Sequence, residues 1–129
     1  MRALITGING FVGGHLAEHL LADGRWEVWG LSRSPHLTLP HLIGKVELVQ
    51  ADLADAEATM RALVRVRPNV IFHLAGQPFV PESFRDPAGT LAANTLGALH
   101  IFLTLIEYRM ATRVLVIGTN EEYGKIDPD

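Results

Sequence analysis

The sequence predicts an α/β fold in which a doubly wound parallel sheet carries helices on both faces. Three observations predict it. Short apolar runs alternate with helix-patterned segments along the whole chain. The runs are near-continuous, as strands are when both sheet faces are covered. A glycine-spaced turn separates the first run from the first helical segment, where sheets of this kind bind nucleotide phosphates.

The elements follow in order. Ala3, Leu4, Ile5 and Thr6 form a strand that stops at Gly7. Phe11, Val12, Leu16, Ala17, Leu20 and Leu21 have helical spacing, which predicts a helix over residues 11–22, ended by Asp23 and Gly24. Residues 26–31 read as the second strand and residues 32–44, rich in Ser, Pro and His, as a loop. Residues 46–49 are the third strand, with Asp52 after it. Asp55 is suited to cap a helix running to about Arg67, where Pro68 and Asn69 end it. Residues 70–74 are the fourth strand and 76–81 a loop. A long helix is predicted from near Pro87 to Tyr108, a fifth strand over 113–117, and a polar tail from Gly118 to Asp129. Five strands alternating with helices predict ligands at the carboxyl ends of the strands.

Composition narrows the function classes. A chain of 129 residues suits one domain. Net charge is −3 and no stretch concentrates Lys or Arg, so no nucleic-acid partner is expected. The absence of cysteine excludes disulfides and thiolate zinc sites, and a cytoplasmic setting is expected. No apolar run approaches the roughly 20 residues needed to span a bilayer, and the first strand leaves no room for a signal peptide, so no membrane partner is expected. His15 and His19 flank Glu18 on one helix, but without the H-E-x-x-H order or an evident third ligand, so no metal site is expected. Arg61, Arg65 and Arg67 read as a solvated helix face, and Trp26 and Trp29 as core or edge packing.

The chemistry begins at Thr6-Gly7-Ile8-Asn9-Gly10-Phe11-Val12-Gly13. Gly7 can take the positive φ of the tight turn. Gly10 lets the backbone approach a pyrophosphate, and Gly13 lets the helix pack close to the strand. The N-terminus of that helix offers N–H groups and a partial positive charge to phosphates. The predicted dinucleotide contacts here are Gly7, Asn9, Gly10, Phe11, Val12 and Gly13. The fold is therefore read as Rossmann-type.

The second strand leads into Ser32-Arg33-Ser34 with no acid to bind the ribose hydroxyls. Arg33 can pair with a ribose 2′-phosphate, with hydrogen bonds from Ser32 or Ser34. NADP is therefore favoured, with NAD the alternative. After the fourth strand, the small residues of Leu74-Ala75-Gly76-Gln77 let the backbone lie along the nicotinamide-side ribose.

The T-G-x-x-G-x-x-G form, together with His73-Leu74-Ala75-Gly76-Gln77, resembles the extended short-chain dehydrogenase/reductase family, also called the NAD-dependent epimerase/dehydratase family. The segment from His73 through Pro87 is similar to enzymes of GDP-6-deoxyhexose metabolism, GDP-4-keto-6-deoxy-D-mannose reductases first and GDP-mannose 4,6-dehydratases next. The resemblance implies that Asp52 and Leu53 meet the adenine, that Asn94 is structural, and that Gln77 and Ser83 reach the substrate. It implies a catalytic Thr119, whose hydroxyl hydrogen-bonds the reacting sugar oxygen. It also implies an acid–base role for Glu121, which in dehydratases takes the proton next to the 4-keto carbon. Phe11-Val12 stands where dehydratases of this group usually have Gln-Asp, which favours a reductase or an epimerase.

The family's Tyr-x-x-x-Lys pair has no counterpart here. Tyr123 is followed four residues later by Asp127, and Lys125 has the wrong offset. Residues 1–129 are expected to be the N-terminal, cofactor-binding part of a longer enzyme, without its substrate lobe and without turnover by themselves. The expected partner is a GDP-linked sugar, with a homodimer for the full-length enzyme. A competing expectation of another class is a non-catalytic dinucleotide-binding module.

Overall fold

The computed structural model describes residues 1–77, 79–118 and 124. β1 (Arg2–Thr6), β2 (Glu27–Ser32), β3 (Glu47–Gln50), β4 (Val70–His73) and β5 (Arg113–Val116) form one sheet in the order β3-β2-β1-β4-β5. Every pairing is parallel. The chain steps outward from β1 to β3, crosses back to β4 and steps outward again. Strand order therefore reverses between β1 and β4, where sheets of this kind open a binding crevice. Thr6 pairs with both Leu31 and His73, and His73 pairs with Val116. On the other side Ser32 pairs with Gln50. The carboxyl ends of all five strands thus finish close to one line.

Both faces of the sheet are buried. Leu4, Leu31 and Ile71 pack with Leu63 and Val66 of α2 (Ala56–Val66) and Ile101 and Leu105 of α4 (Pro87–Glu107). Ala3, Ile5 and Val28 pack on the opposite face with Ala17 and Leu20 of α1 (Phe11–Asp23). Neighbouring β1 residues serve opposite cores, which explains the unbroken apolar run. Burying one such aliphatic side chain contributes about 1.5–3 kcal/mol.

The helix ends follow local chemistry. Gly24 closes α1 at φ 71, with its N–H donating to the Leu21 carbonyl. The Asp55 carboxylate accepts from the Ala58 N–H and caps α2, and this bond holds its pKa below the ordinary carboxylate value.

Three expectations need correction. The segment read as loop 32–44 contains a 3-10 turn, Pro40–Leu42, pinned by the buried Leu42. A short helix, α3 (Val80–Arg85), follows the β4 loop; it buries no residue, so it shows no apolar face in the sequence. The third concerns membrane-spanning length. α4 has 21 residues and a mean hydropathy of 1.5 over its best window, enough by length and composition to cross a bilayer. Thr90, Asn94, Thr95 and His100 break its apolar run without adding strong charge. In the fold Gly97, Ile101, Thr104 and Leu105 are buried, while Leu91, Leu103 and Ile106 are exposed.

Candidate cofactor-binding site

The glycine turn after β1 is built as a cradle. Gly7 has φ 71, and an added Cβ would stand 3.0 Å from the Ala75 nitrogen. The Gly10 N–H donates to the Gly7 carbonyl oxygen at 2.9 Å and closes the turn. A Cβ on Gly13 would collide with that same carbonyl oxygen and crowd Ile8 Cα. The expectation was close packing on the strand; Gly13 instead permits close packing on the turn itself. Gly10 is the N-cap of α1, without a side-chain cap and without an acid in the first turn. Its first N–H groups are thus unopposed, and Phe11 and Val12 beside them are exposed. The cradle fits a diphosphate.

Thr6, the last residue of β1, joins the cradle to the end of β4. Its buried Oγ1 accepts from the N–H groups of Leu74 at 3.1 Å and Ala75 at 3.0 Å. With both acceptor positions used, it donates its own hydrogen to His73 Nδ1, 2.9 Å away. This leaves His73 neutral with its proton on Nε2, and burial holds its pKa below the ordinary 6.5. Sequence reasoning gave neither side chain a role. The strand pairing of Thr6 with His73 is the signal that identifies the bond.

At the end of β2, Arg33 is exposed, and among the described residues its guanidinium has no hydrogen-bond or ion-pair partner. Its carbonyl oxygen accepts from Gln50 Nε2 at 2.9 Å. Ser32 Oγ accepts from the Ser34 N–H and from Asn9 Nδ2. Asn9, expected to face the cofactor, turns its side chain to this loop. Its Nδ2 donates to Ser32 Oγ at 3.0 Å and to the His36 carbonyl at 3.1 Å, and its Oδ1 accepts from the Thr38 N–H at 2.9 Å.

The remaining predicted residues divide. Asp52 is exposed after β3, and its Oδ1 accepts from the Ala54 N–H at 2.9 Å. Leu53 sends its side chain into the core against Gly97, while its carbonyl accepts from His100 Nδ1 at 2.7 Å. Only the backbone of Leu53 is therefore offered to a ligand. Leu74, Ala75 and Gly76 follow β4 beside the cradle. Gln77 folds its carboxamide onto the backbone of Phe79, donating to its carbonyl and accepting from its N–H. Asn94 brackets the Gln77 backbone, accepting from its N–H at 2.6 Å and donating to its carbonyl at 3.3 Å, which is the structural role expected of it. The Ser83 hydroxyl donates to the Val80 carbonyl within α3. Ser83 keeps its hydroxyl oxygen, and Gln77 one amide hydrogen and one oxygen lone pair, for a further partner. Thr119, Glu121 and Tyr123 lie outside the described residues.

A shallow cleft of about 110 Å³ adjoins the cradle, between Gly10, Phe11 and Gly14 on one side and Leu39 and His41 on the other. At its rim Glu18 bonds His15 at 3.2 Å and His41 at 2.5 Å, and the bond from His15 above all lowers its pKa. His19 takes no part in this group. Among the described residues no three His, Asp or Glu side chains converge as metal ligands.

Comparison with known proteins agrees with this layout. The model of the NAD dependent epimerase/dehydratase family matches residues 3–129. A GDP-6-deoxy-D-mannose reductase of Pseudomonas aeruginosa is 35% identical over 97% of this chain and 36% of its own length. A GDP-mannose 4,6-dehydratase of Vibrio cholerae is 31% identical over 97% of this chain and 37% of its own. The UDP-glucose 4-epimerase of Thermus thermophilus, solved as a complex with NAD, superposes with a TM-score of 0.76 at 34% identity, covering 85% of this chain and 35% of that one. The chain thus spans little more than a third of these relatives. A family match running almost end to end, on a sheet whose order reverses beside a glycine cradle, settles the classification: the chain belongs to the NAD dependent epimerase/dehydratase family.

Proposed function

We propose that this chain is the dinucleotide-binding part of a nucleotide-sugar oxidoreductase, and that the reaction is reduction at C4 of a GDP-linked 4-keto-6-deoxyhexose with NADPH. The observation that carries the reading is the cradle and, one strand away, an exposed Arg33 that has no ion-pair partner among the described residues and follows a Ser32 hydroxyl, with no acid at the end of β2. The cradle from Gly7 to Gly13 holds the diphosphate. Ser32 and Arg33 take the 2′-phosphate, the Asp52–Leu53 turn takes the adenine, and the backbone of residues 74–77 takes the nicotinamide-side ribose. When bound, the dinucleotide supplies the hydride. Thr119 orients the reacting sugar oxygen, and Glu121 supplies the acid–base group beside it. Gln77 and Ser83 are proposed to reach the sugar nucleotide with the hydrogen-bonding positions that their backbone partners leave open. The full enzyme is proposed to work as a cytoplasmic homodimer. The Pseudomonas reductase supports the choice of sugar.

A second reading, a NAD-dependent epimerase, is favoured by the Thermus enzyme and its bound NAD. Titration of the chain with NADPH and NADH, followed by nicotinamide fluorescence, separates the two. A charge-assisted contact worth about 1.5–3 kcal/mol makes NADPH bind roughly 10- to 150-fold tighter than NADH. Arg33→Ala is expected to abolish that preference. Equal affinities remove the NADP assignment, and no binding of either removes the cofactor reading.

A further inference from the structure

We infer that Asn9 is a positioning residue for cofactor choice: its carboxamide clasps the loop that carries Arg33 and so preforms a subsite for a phosphomonoester on the adenine ribose. This rests on the NADP reading above. Asn9 lies within the cradle, between Gly7 and Gly10, so its backbone belongs to the diphosphate site. Its side chain belongs to the other site. Both Nδ2 hydrogens and Oδ1 are spent on residues 32–38, each at ordinary hydrogen-bond length.

Two consequences follow for the loop. First, Ser32 Oγ receives two N–H donors, from Asn9 and Ser34, so its lone pairs are occupied and its own hydrogen remains to be given. A hydroxyl left only to donate favours an anionic phosphate oxygen, a stronger acceptor than the neutral oxygen of a ribose hydroxyl. Second, the backbone that carries Arg33 is tied from three sides: by Gln50 at the Arg33 carbonyl, by Asn9 at His36, and by Asn9 at Thr38. A loop already ordered loses less entropy when its cation meets a phosphate. A cradle and a 2′-phosphate subsite joined through one carboxamide also keep a fixed separation, as the two ends of one cofactor require.

The probes are NADPH, NADH, adenosine 2′,5′-bisphosphate and ADP, titrated into this chain. Asn9→Ala is expected to weaken NADPH and the 2′,5′-bisphosphate by about tenfold or more, and NADH and ADP by less than about threefold. Adding Arg33→Ala to Asn9→Ala then costs little more, because the two substitutions remove one coupled effect. Asn9→Asp keeps the shape and the bond from Thr38 but loses both donors, sets a carboxylate against the His36 carbonyl and draws the Ser32 hydrogen to itself. It is expected to shift the same ratio at least as far, and it serves equally should Asn9→Ala fail to fold. Equal losses across all four probes overturn the assignment, as does no loss in either variant. If the unsubstituted chain binds NADPH and NADH alike, the NADP reading fails by itself. The clasp is then decided without cofactor, by amide exchange at Thr38: faster exchange in Asn9→Ala supports it, and unchanged exchange overturns it.

Discussion

Thr6 and His73 show how one buried hydroxyl can hold two loops in place. Thr6 Oγ1 satisfies two N–H groups of the chain leaving β4 and is itself satisfied by His73. A valine in its place would leave two donors without partners, at about 1–3 kcal/mol each. The same arrangement makes stability depend on pH. Folding lowers the His73 pKa below 6.5, so between the folded and unfolded values the unfolded chain binds more protons. The contribution is complete above the unfolded value and is lost as pH falls from there towards the folded one. Urea denaturation between about pH 8 and pH 5.5 is therefore expected to show a falling midpoint below about 6.5. His73→Asn, which keeps an acceptor for Thr6 without the titration, is expected to flatten that slope. An unaltered slope in the variant would place the acid sensitivity elsewhere.

At the scale of elements, α2 is the plainest case of a helix set by its buried side. Thr59, Ala62, Leu63 and Val66 are buried on one face, while Arg61 and Arg65 lie on the other, Arg61 paired with Glu57 and Arg65 over Trp29. Leu63→Ala is expected to cost about 2–5 kcal/mol in urea denaturation, whereas Arg61→Ala should stay within about 0.5 kcal/mol. Similar losses for both would mean that α2 is not held by its sheet-facing side. α2 was legible in the sequence because its spacing, its Asp55 cap and its Pro68 end agree. The cradle was legible for a related reason: turn, glycines and helix start are neighbours along the chain. α3 was not, since a helix with nothing buried leaves no period, and neither was the 3-10 turn, which depends on the single buried Leu42. Cross-chain bonds were the least visible. Thr6 meets His73 and Asn9 meets Thr38 only after the sheet has brought distant segments together, and a motif records a residue's type without the direction of its side chain. Gln77 makes the same point, since the family resemblance implied a ligand contact without showing that its carboxamide also bonds its own loop.

Across the whole molecule, apolar burial is uneven. β1 at the centre is covered on both faces, whereas β5 lies at the end of the sheet, and Leu115 and Val116 upon it are about half exposed at 49% and 45%. Among the described residues its outer edge pairs with no strand. Beside it α4 leaves Leu103 and Ile106 exposed at 53% and 74%. An open strand edge next to an apolar helix face is a ready template for association. Sedimentation velocity over a concentration series is therefore expected to show reversible self-association of this chain at neutral pH. Leu103→Lys with Ile106→Lys should shift the distribution to monomer and leave the urea midpoint nearly unchanged, because both side chains are largely exposed already and exposed substitutions stay within about 0.5 kcal/mol. The cradle, on β1 and at the far end of α1, should bind cofactor equally well in either form. A monomer at every concentration would show that the uncovered face of β5 and α4 is too small or too broken by polar residues to drive association.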